Sequence, residues 1–435
     1  MSKHPDDHSP RLVAPGAGAD LESWLTYLEA IHPTEIDLGL DRVITVFRRL
    51  FKSRPKGRII TVAGTNGKGS AVACIAQILK QAGRHVGTYT SPHLHRYNER
   101  VTIDGQPVSD QAMVAAFERI EQVRGAVTLT YFEFGTLAAF LALAEAGVED
   151  WVLEVGLGGR LDAVNVMDAD LAIITSVDID HVAFLGNDRE VIGFEKAGIL
   201  RPGKPAIYAD DQPPKSVLQQ VVAQNVPFTR LGIDYRLDAA QGPQVLTCPS
   251  LDRSLALPDI PLPVKSVAAA VVAAWMLEPG MDDGVISDAL SHVRLPGRFE
   301  QLSHKPDIYV DVGHNPHAAA WLAQKLEQLK QSGGKIHGIY ACLSDKDTQG
   351  VIEALLDSID SWYLAGLSCP RGVPAGELQE RFLASSDRAP RVVAESVEMA
   401  LNEARRQAAE SDVIIVFGSF FTVAEARQLL LKASQ

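Results

Sequence analysis

The chain has 435 residues, of which 46% are hydrophobic and 22% charged, and its formal net charge is −13 at pH 7. That length exceeds one ordinary hydrophobic core, so we expect two or three domains. The acidic balance argues against a general nucleic-acid or membrane-surface role, because such partners are attracted by a basic field, and small anionic ligands would need local positive sites.

The N-terminal residues and the cysteines predict a cytoplasmic protein. Residues up to about Gly18 are polar and rich in Pro, Gly and Asp, without an apolar run typical of a signal peptide or a membrane span, and we interpret them as a loose tail. The cysteines have no short paired spacing, which argues against both a zinc cluster and a disulfide framework. They are Cys74, Cys248, Cys342 and Cys369.

After an opening helix, the most informative segment is RIITVAGTNGKGS, residues 58–70, in which an apolar strand runs into a glycine-rich turn. The glycines of this turn are Gly64, Gly67 and Gly69. They would let the backbone approach phosphate oxygens, Lys68 would add a positive charge, and a helix starting near Ser70 would present unpaired N–H groups. The Ser70 hydroxyl is placed to reach a magnesium ion. The segment indicates a nucleotide polyphosphate site, although its spacing departs from the common Walker pattern and a plain glycine turn is the alternative.

Short apolar runs then alternate with helical patterns, which is typical of an α/β fold with a parallel sheet. The predicted strands are 59–63, 86–90, 151–155, 171–176 and 206–209, and one of the helices between them is 134–146. Ligands of such sheets lie beyond the carboxyl ends of the strands. The segments that follow four of these strands are the glycine loop, 91–93, 154–160 and 178–181, and each carries polar residues.

The rest of the chain predicts a second, smaller α/β domain. Residues 226–263 have weak periodicity and form either a small β excursion or loops, and a helix follows from Ser266. The segment 295–298, Leu-Pro-Gly-Arg, indicates a hinge, after which strands are predicted at 308–312, 336–341, 362–365, 391–393 and 413–417. We therefore divide the chain into a tail (1–18), a P-loop-type parallel-sheet ATPase domain (19–294), a hinge (295–300) and a Rossmann-like α/β domain (301–435).

Candidate metal ligands follow three of the predicted strands. Magnesium prefers a few carboxylates together with phosphate and water oxygens, so Glu154, Ser91 and His181 form a plausible set. A single histidine such as His181 is more often a hydrogen-bonded loop residue, although its position at a strand end favours a ligand. Lys196 lies in an apolar helical stretch, where a lysine is usually a solvated surface residue.

Together these motifs resemble the Mur ligase superfamily, and within it the folylpolyglutamate synthase and dihydrofolate synthase family. The matching segments run from Ile36 to about Val423 in the family's order, so the resemblance covers nearly the whole chain. They are IDLGLDRV, TVAGTNGKGS, TSPHLHRYNERV, LTYFEFGT, LEVGLGGRLDAVN, DIDHVAFLG, EKAGI, LPGRFE, DVGHNPHA, LSDKD and FGSFFTV. The resemblance implies a Mur ligase central domain followed by the smaller ligase domain.

The resemblance also implies roles for individual residues of the first domain. The ATP phosphates would be held by Thr65, Asn66, Gly67, Lys68, Gly69 and Ser70. Magnesium would be held by Ser91, Glu154 and His181, with Ser70 within reach. Lys196 matches a family lysine that is carbamylated, which turns an ammonium into a carboxylate able to orient a second metal ion. The expected catalytic residues are Lys68, Glu154, His181 and Lys196, and the expected cofactors are ATP and Mg²⁺ at two sites.

In family members that make dihydrofolate, the pteroate lies among three short segments, and this chain contains all three. They are Ile36-Asp37-Leu38, Thr130-Tyr131-Phe132-Glu133 and Leu161-Asp162-Ala163. The residue types agree with this role, because Phe132 can stack on a flat pterin and Asp162 can accept its N–H donors. Core packing is the alternative for Phe132.

The second domain would complete the nucleotide site. The residues implied are Arg298, Asp311, His314 and Asn315. Arg298 would supply charge and Asp311 would accept ribose hydroxyls, which requires the domains to close about the hinge. Two positions depart from the family pattern, since Ser266 replaces a common asparagine that contacts the nucleotide and Phe421 replaces a histidine of close relatives.

We therefore expect an ATP-dependent ligase, acting as a cytoplasmic monomer, that adds L-glutamate to 7,8-dihydropteroate and to tetrahydrofolate polyglutamates through an acyl phosphate. Lys68 and the metal ions would neutralise charge during phosphoryl transfer. The alternatives are an enzyme that only extends folates, another Mur-type ligase, and a nucleotide-binding protein without catalysis. The pteroate segments favour the bifunctional enzyme, and the early glycine loop argues against a preceding UDP-binding domain.

Overall fold

The computed structural model describes residues 13–16, 18–34, 36–238, 244–330 and 333–432. Most of the predicted tail, residues 1–12 and 17, lies outside the described residues. The described part contains two largely parallel sheets flanked by helices and one small antiparallel sheet, which confirms the predicted α/β fold class.

The first sheet carries the predicted glycine loop. Its strands are β1 (Arg58–Ala63), β2 (Val86–Tyr89), β3 (Val101–Ile103), β4 (Gln106–Pro107), β5 (Asp150–Glu154), β6 (Leu171–Ile174), β7 (Ala206–Tyr208) and β8 (Phe228–Arg230). Their spatial order is β4-β3-β2-β5-β1-β6-β7-β8, and neighbours are parallel except where β3 pairs with β2 and β4. The five predicted strands are confirmed, whereas β3, β4 and β8 hold too few apolar residues for a sequence signal.

A small sheet and a second large sheet follow. The small sheet consists of β9 (Arg236–Asp238), β10 (Val245–Cys248) and β11 (Arg253–Ala256), all antiparallel. Of the two interpretations of 226–263, the β excursion is therefore confirmed, although 239–243 lies outside the described residues. The second sheet consists of β12 (Glu300–Ser303), β13 (Asp307–Asp311), β14 (Ile336–Tyr340), β15 (Ser361–Ala365), β16 (Val392–Ala394) and β17 (Val413–Phe417), in the order β12-β13-β17-β14-β15-β16. Only β12, which was not predicted, is antiparallel to its neighbour.

Helices cover both faces of the two large sheets. The α-helices of the described chain are α1 (Leu21–Ala30), α2 (Asp41–Leu50), α3 (Lys68–Gln81), α4 (Asp110–Arg124), α5 (Tyr131–Ala146), α6 (Val182–Leu185), α7 (Arg189–Ala197), α8 (Lys215–Ala223), α9 (Val264–Leu277), α10 (Asp283–Ser291), α11 (Pro316–Lys330), α12 (Thr348–Leu355), α13 (Ala375–Ser385), α14 (Val397–Gln407) and α15 (Phe420–Lys432). Short 3₁₀ turns occupy Tyr97–Arg100, Ala163–Val166 and Pro249–Leu251.

Hydrophobic cores on both faces hold the first sheet between its helices. On one face, α3 packs against α9, whose residues Ser266 to Trp275 are all buried, because a helix apolar on all sides is stable only inside a core. On the other face, α5 contributes Phe134 and Phe140 to a core that also contains Trp151 of β5. These layers fix the strand directions, so the loops at the carboxyl ends of β1, β2, β5 and β6 share one edge of the sheet.

A buried ion network joins the amino ends of β1 and β5. Asp150 is fully buried, and its carboxylate accepts hydrogen bonds from Arg58 Nε at 2.5 Å and Arg84 Nε at 2.7 Å. Arg58 also reaches the end of α9 through the Leu277 carbonyl at 2.8 Å and Glu278 at 2.7 Å. The network therefore ties the central strands to the helix behind them.

We expect Asp150→Asn to lower the free energy of unfolding by about 3–5 kcal/mol, because two cations would remain without the buried carboxylate between them. Urea denaturation followed by circular dichroism measures this change. The matched control is Glu145→Gln, which breaks the exposed pair with Arg119 and should cost less than about 1 kcal/mol. Equal effects of the two substitutions would contradict a structural role for the buried network.

Candidate active site

The predicted phosphate loop connects β1 to α3. Gly64 and Gly67 have φ angles of 152° and 83°, in the region that favours glycine. A Cβ atom at Gly64 would lie 1.8 Å from Thr175 Oγ1, and one at Gly67 would lie 2.2 Å from Ser266 Oγ. Side chains at these two positions are therefore excluded, and the loop backbone lies directly against β6 and α9.

The helix after this loop begins at Lys68, two positions earlier than the residue predicted from the sequence. Lys68 Nζ donates to the carbonyls of Gly64 at 3.0 Å and Thr65 at 3.3 Å. Burial lowers the pKa of Lys68, and the negative charge of Glu154 opposes that effect. The ammonium is thus held at the inner side of the loop, where the expected phosphate would bind.

A cavity of about 1220 Å³ opens at the carboxyl edge of the first sheet. It is lined by residues of both large sheets' loops, and it collects most of the residues predicted for the site. These are Ile36, Asp37, Leu38, Thr65, Asn66, Gly67, Lys68, Gly69, Ser91, Thr130, Tyr131, Phe132, Glu133, Glu154, Leu161, Asp162, Ala163, His181, Arg298 and His314. Residues that are far apart in the sequence therefore line one open cleft, which is the usual form of a small-molecule site.

Five predicted residues do not line this cavity. Ser70 and Ser266 are buried on α3 and α9, Ser266 being in contact with the loop at Gly67. Lys196 lies in a small adjoining pocket whose walls include Lys68 and His181. Asn315 is buried at the contact between the two sheets' loops.

The carboxylate of Asp311, the fifth of these residues, is hydrogen-bonded to the backbone of the protein. Its carboxylate accepts the backbone N–H groups of Phe299 at 2.9 Å and Gly313 at 2.7 Å, and burial raises its pKa. In this structure Asp311 therefore fixes the backbone on both sides of β13, and its predicted contact with ribose hydroxyls stays a prediction.

Glu154 and His181 provide the chemistry expected of a cation site. Glu154 is buried, and burial raises its pKa, so a nearby positive charge would stabilise the carboxylate. Ser91 N–H lies 3.4 Å from Glu154 Oε2, and a Cβ atom at Gly69 would lie 3.7 Å from the same oxygen. The carboxylate therefore faces the first turn of α3.

The His181 imidazole is neutral at physiological pH, as a metal ligand must be. Partial burial, together with the charges of Lys346 and Lys68, lowers its pKa to about 4. Among the described residues, no group of three or more His, Cys, Asp and Glu side chains could hold a metal ion. A cation at Glu154 would thus need phosphate and water oxygens as further ligands, which fits the preference of magnesium.

Arg42 joins two of the three predicted pteroate segments. Arg42 Nη1 lies 2.7 Å from Asp37 Oδ2, and Arg42 Nη2 lies 3.0 Å from Glu133 Oε1. Glu133 also accepts the Thr130 N–H at 2.8 Å, completing the cap of α5. The Glu133 carboxylate is thus used for structure, and its partner Arg42 was not predicted as a site residue, although it lies in the segment IDLGLDRV.

The other two residues with a predicted pterin contact, Phe132 and Asp162, both line the cavity. Phe132 is half-buried, lines the cavity, and lies against Tyr89 with ring centroids 6.0 Å apart, so it both packs in the wall and presents a face. Asp162 is buried, accepts the N–H groups of Leu157 and Val164, and has its pKa raised to about 6 by burial. A buried carboxyl of this kind can accept N–H donors from a heterocycle.

Asp180 links the two sheets' loops and was not predicted as a site residue. Its carboxylate lies 2.8 Å from Lys346 Nζ, 3.2 Å from Asn315 Nδ2 and 3.6 Å from His314 Nε2. Although burial alone would raise the pKa of Asp180, these neighbours hold it well below its usual range. Asn66 of the glycine loop exchanges amide hydrogen bonds of 3.1 and 3.0 Å with Asn315. The only sequence signals were the adjacency of Asp180 to His181 and the LSDKD segment that contains Lys346.

Comparison with known proteins agrees with this arrangement. Residues 62–245 match the Mur ligase middle domain, and residues 297–420 match the glutamate ligase domain of Mur ligases. The chain is 40% identical over 417 residues to a protein of Escherichia coli (strain K12) named dihydrofolate synthase/folylpolyglutamate synthase, covering 96% of this chain and 97% of that one. The chain belongs to the dihydrofolate synthase/folylpolyglutamate synthase family.

Other members of the dihydrofolate synthase/folylpolyglutamate synthase family support this assignment. A protein of the same name from Haemophilus influenzae is 39% identical over 430 residues, which is 94% of this chain and 97% of that one. A relative from Lacticaseibacillus casei, named folylpolyglutamate synthase alone, is 31% identical over 418 residues, or 90% of this chain and 94% of that one.

Solved structures of this family superpose on the whole fold. The E. coli FolC structure in complex with DHPP and ADP has a TM-score of 0.92 and 38% identity, covering 97% of this chain and 100% of that one. A bifunctional folylpolyglutamate synthase/dihydrofolate synthase structure with Mn, AMPPNP and L-glutamate bound has a TM-score of 0.88 and 41% identity, covering 96% of this chain and 100% of that one. In the described part of this family member, no helix combines the length and apolarity needed to cross a membrane.

Proposed function

We propose that this protein is an ATP-dependent ligase that joins L-glutamate to 7,8-dihydropteroate, forming dihydrofolate, and also extends tetrahydrofolate polyglutamates. The observation that carries the proposal is the shared cavity, into which the glycine loop, Glu154 and all three pteroate segments open. A pterin-bearing acid at Phe132 and a nucleotide at Lys68 would therefore meet inside one cleft.

The reaction that this arrangement supports has two balanced steps. A carboxylate oxygen of the acceptor attacks the γ-phosphorus of ATP, and the bond from this phosphorus to the bridging oxygen breaks. ADP leaves, and the acceptor becomes an acyl phosphate. The glutamate nitrogen then attacks the acyl carbon, loses a proton, and inorganic phosphate departs. Lys68, fixed by two loop carbonyls, would neutralise charge on the transferring phosphoryl oxygens without reorganising.

Magnesium would be held by Ser91, Glu154 and His181, whose buried carboxylate and neutral imidazole fit a cation completed by phosphate and water oxygens. When bound, it would neutralise phosphate charge. We propose that Lys196 is carbamylated, which would place an anionic group beside Lys68 and His181.

The two α/β parts would bind the nucleotide between them, and we propose the domain limits 19–294 and 301–435 with a hinge at 295–300. The Arg298 guanidinium lies 5.8 Å from the Phe420 ring centroid and faces the cavity from the hinge. Asn315 already contacts Asn66 of the loop and Asp180, so the nucleotide would bind beside an existing contact between the two parts. Ser266 lies against Gly67, so it would position the loop backbone and would not contact the nucleotide base. Phe421 would form an apolar part of the cavity wall.

Phosphate release from ATP with magnesium and L-glutamate tests the proposal, with 7,8-dihydropteroate and tetrahydrofolate compared in parallel. We expect turnover with both acceptors. Turnover with tetrahydrofolate alone would mean that this chain acts only in folate extension. Turnover with neither would contradict the ligase.

We further propose a cytoplasmic monomer without nucleic-acid or membrane partners. All four cysteines have free thiols, as expected for a reducing compartment, and the net charge of −13 opposes binding to polyanions. Size-exclusion chromatography with light scattering tests the monomer.

A further inference from the structure

Arg100 is a buried cation in the cavity wall without a counter-charge from the chain. It closes the 3₁₀ turn before β3, and only 9% of its surface is exposed. In the parts of the chain that the structure describes, no carboxylate lies within the 4.0 Å that defines an ion pair with its guanidinium. Other half-buried arginines, such as Arg42 and Arg58, each have at least one carboxylate partner. Arg100 therefore has the charge and burial of an anion-binding residue.

The contacts of Arg100 fix its orientation. The guanidinium carbon lies 5.3 Å from the Tyr97 ring centroid and 5.6 Å from that of Tyr131, which restricts the guanidinium plane. Arg100 Nε donates to His93 Nδ1 at 2.9 Å. Because a guanidinium nitrogen can only donate, His93 Nδ1 carries no proton and is the acceptor of this bond. The two terminal nitrogens are left as a pair of donors, the geometry that suits a carboxylate.

Arg100 lies between the predicted pteroate segments and the side of the cavity that holds the phosphate loop. Tyr131, whose ring it contacts, precedes Phe132 in a pteroate segment. On the other side, the Arg100 carbonyl accepts the N–H of Thr90 at 2.8 Å, directly before Ser91 of the predicted metal site. Arg100, Phe132 and Glu154 all line the same cavity. A flat substrate lying on Phe132 and pointing toward the loop would carry its acidic end past Arg100.

We infer that Arg100 binds the carboxylate end of the pterin-bearing substrate and positions it toward the phosphate loop. This inference rests on the proposed function and names the residue that distinguishes an acidic acceptor from a neutral one. The bond that forms is a paired hydrogen bond from the two terminal nitrogens to the two carboxylate oxygens.

The test compares 7,8-dihydropteroate with its neutral carboxamide as ligands. Fluorescence titration without ATP or glutamate gives the dissociation constants for the wild-type protein and for Arg100→Gln. We expect the wild type to prefer the acid by about 10-fold or more and Arg100→Gln to bind acid and amide equally. In steady-state assays, KM for dihydropteroate should rise by a similar factor while KM for ATP stays unchanged.

Two further variants keep the test decisive. Arg119→Gln removes an exposed arginine paired with Glu145 and should retain the wild-type preference for the acid, which controls for net charge. Arg100→Met retains an unbranched stem between the two tyrosine rings, and it replaces Arg100→Gln in the comparison if thermal denaturation shows that the latter is unfolded.

Three outcomes separate this inference from the proposed function. An unchanged preference for the acid in a folded Arg100 variant would overturn the inference, while wild-type turnover would still support the ligase. A rise in KM for ATP alone would also overturn it, because the bound anion would then be phosphate. A wild-type protein that binds dihydropteroate with the expected preference but consumes no ATP would support Arg100 and contradict the ligase.

Discussion

Replacing Lys68 with alanine is expected to remove turnover while the protein stays folded. Lys68 Nζ is held against the carbonyls of Gly64 and Thr65 at the inner side of the loop, where the transferring phosphoryl group would lie. Loss of one preorganised charge at a transition state costs about 100-fold to 1000-fold in kcat. Phosphate release at saturating ATP, L-glutamate and tetrahydrofolate measures the loss.

The control for Lys68 is Lys80→Ala, because Lys80 lies on the same helix but is exposed in its last turn. This variant should retain wild-type kcat. Thermal denaturation of both variants shows whether either substitution unfolds the protein. Near-normal activity of a folded Lys68→Ala protein would refute a role for the ammonium in phosphoryl transfer.

The second large effect is expected at Lys196, through carbamylation. Lys196 is buried, and burial, reinforced by the charge of Lys68, lowers its pKa to about 7. A neutral amine can attack CO₂, forming a C–N bond and releasing a proton, whereas an ammonium cannot. The product carries a negative charge, which Lys68 would stabilise instead of opposing. We therefore expect Lys196→Ala to lose at least about 100-fold in kcat.

The direction of the pH effect follows from the lowered pKa of Lys196. Below pH 7 the amine is largely protonated and carbamate formation is suppressed; above pH 7 the neutral form dominates. In the unfolded chain the lysine stays protonated up to about pH 10.4. Below pH 7 the buried ammonium therefore lowers the free energy of unfolding, and this loss is relieved as the pH rises from 7. At a fixed, limiting CO₂ concentration, wild-type activity should thus be lowest on the acidic side.

Added bicarbonate should restore the activity of CO₂-depleted wild-type protein, and native mass spectrometry should show the mass of one bound CO₂. Lys204→Ala is the matched control, because Lys204 is exposed and pairs with Asp170 at 3.0 Å. It should respond to bicarbonate as the wild type does. Activity that is independent of CO₂, together with a fully active Lys196→Ala variant, would reject the carbamate.

Local patterns predicted the elements that have a strong signal of their own. The apolar runs at 59–63 and 413–417 became central parallel strands, and the glycines at 64 and 67 proved to be required by close contacts with Thr175 and Ser266. Short strands such as β3 and β8 escaped prediction, because they are stabilised by pairing with neighbours and not by the period of their own residues.

The amino-acid sequence by itself determined the α/β class, the family, and the residues at the strand ends, because these depend on the residue types at a few neighbouring positions. Only the tertiary structure decided the partners: Lys346 for Asp180, Arg42 for Glu133, and the absence of a carboxylate beside Arg100 in the described chain. Each of these depends on how residues distant in sequence are packed together. Burial then alters their charges, as the lowered pKa of Lys196 illustrates, because the cost of desolvation is set by the surrounding fold and not by the residue type.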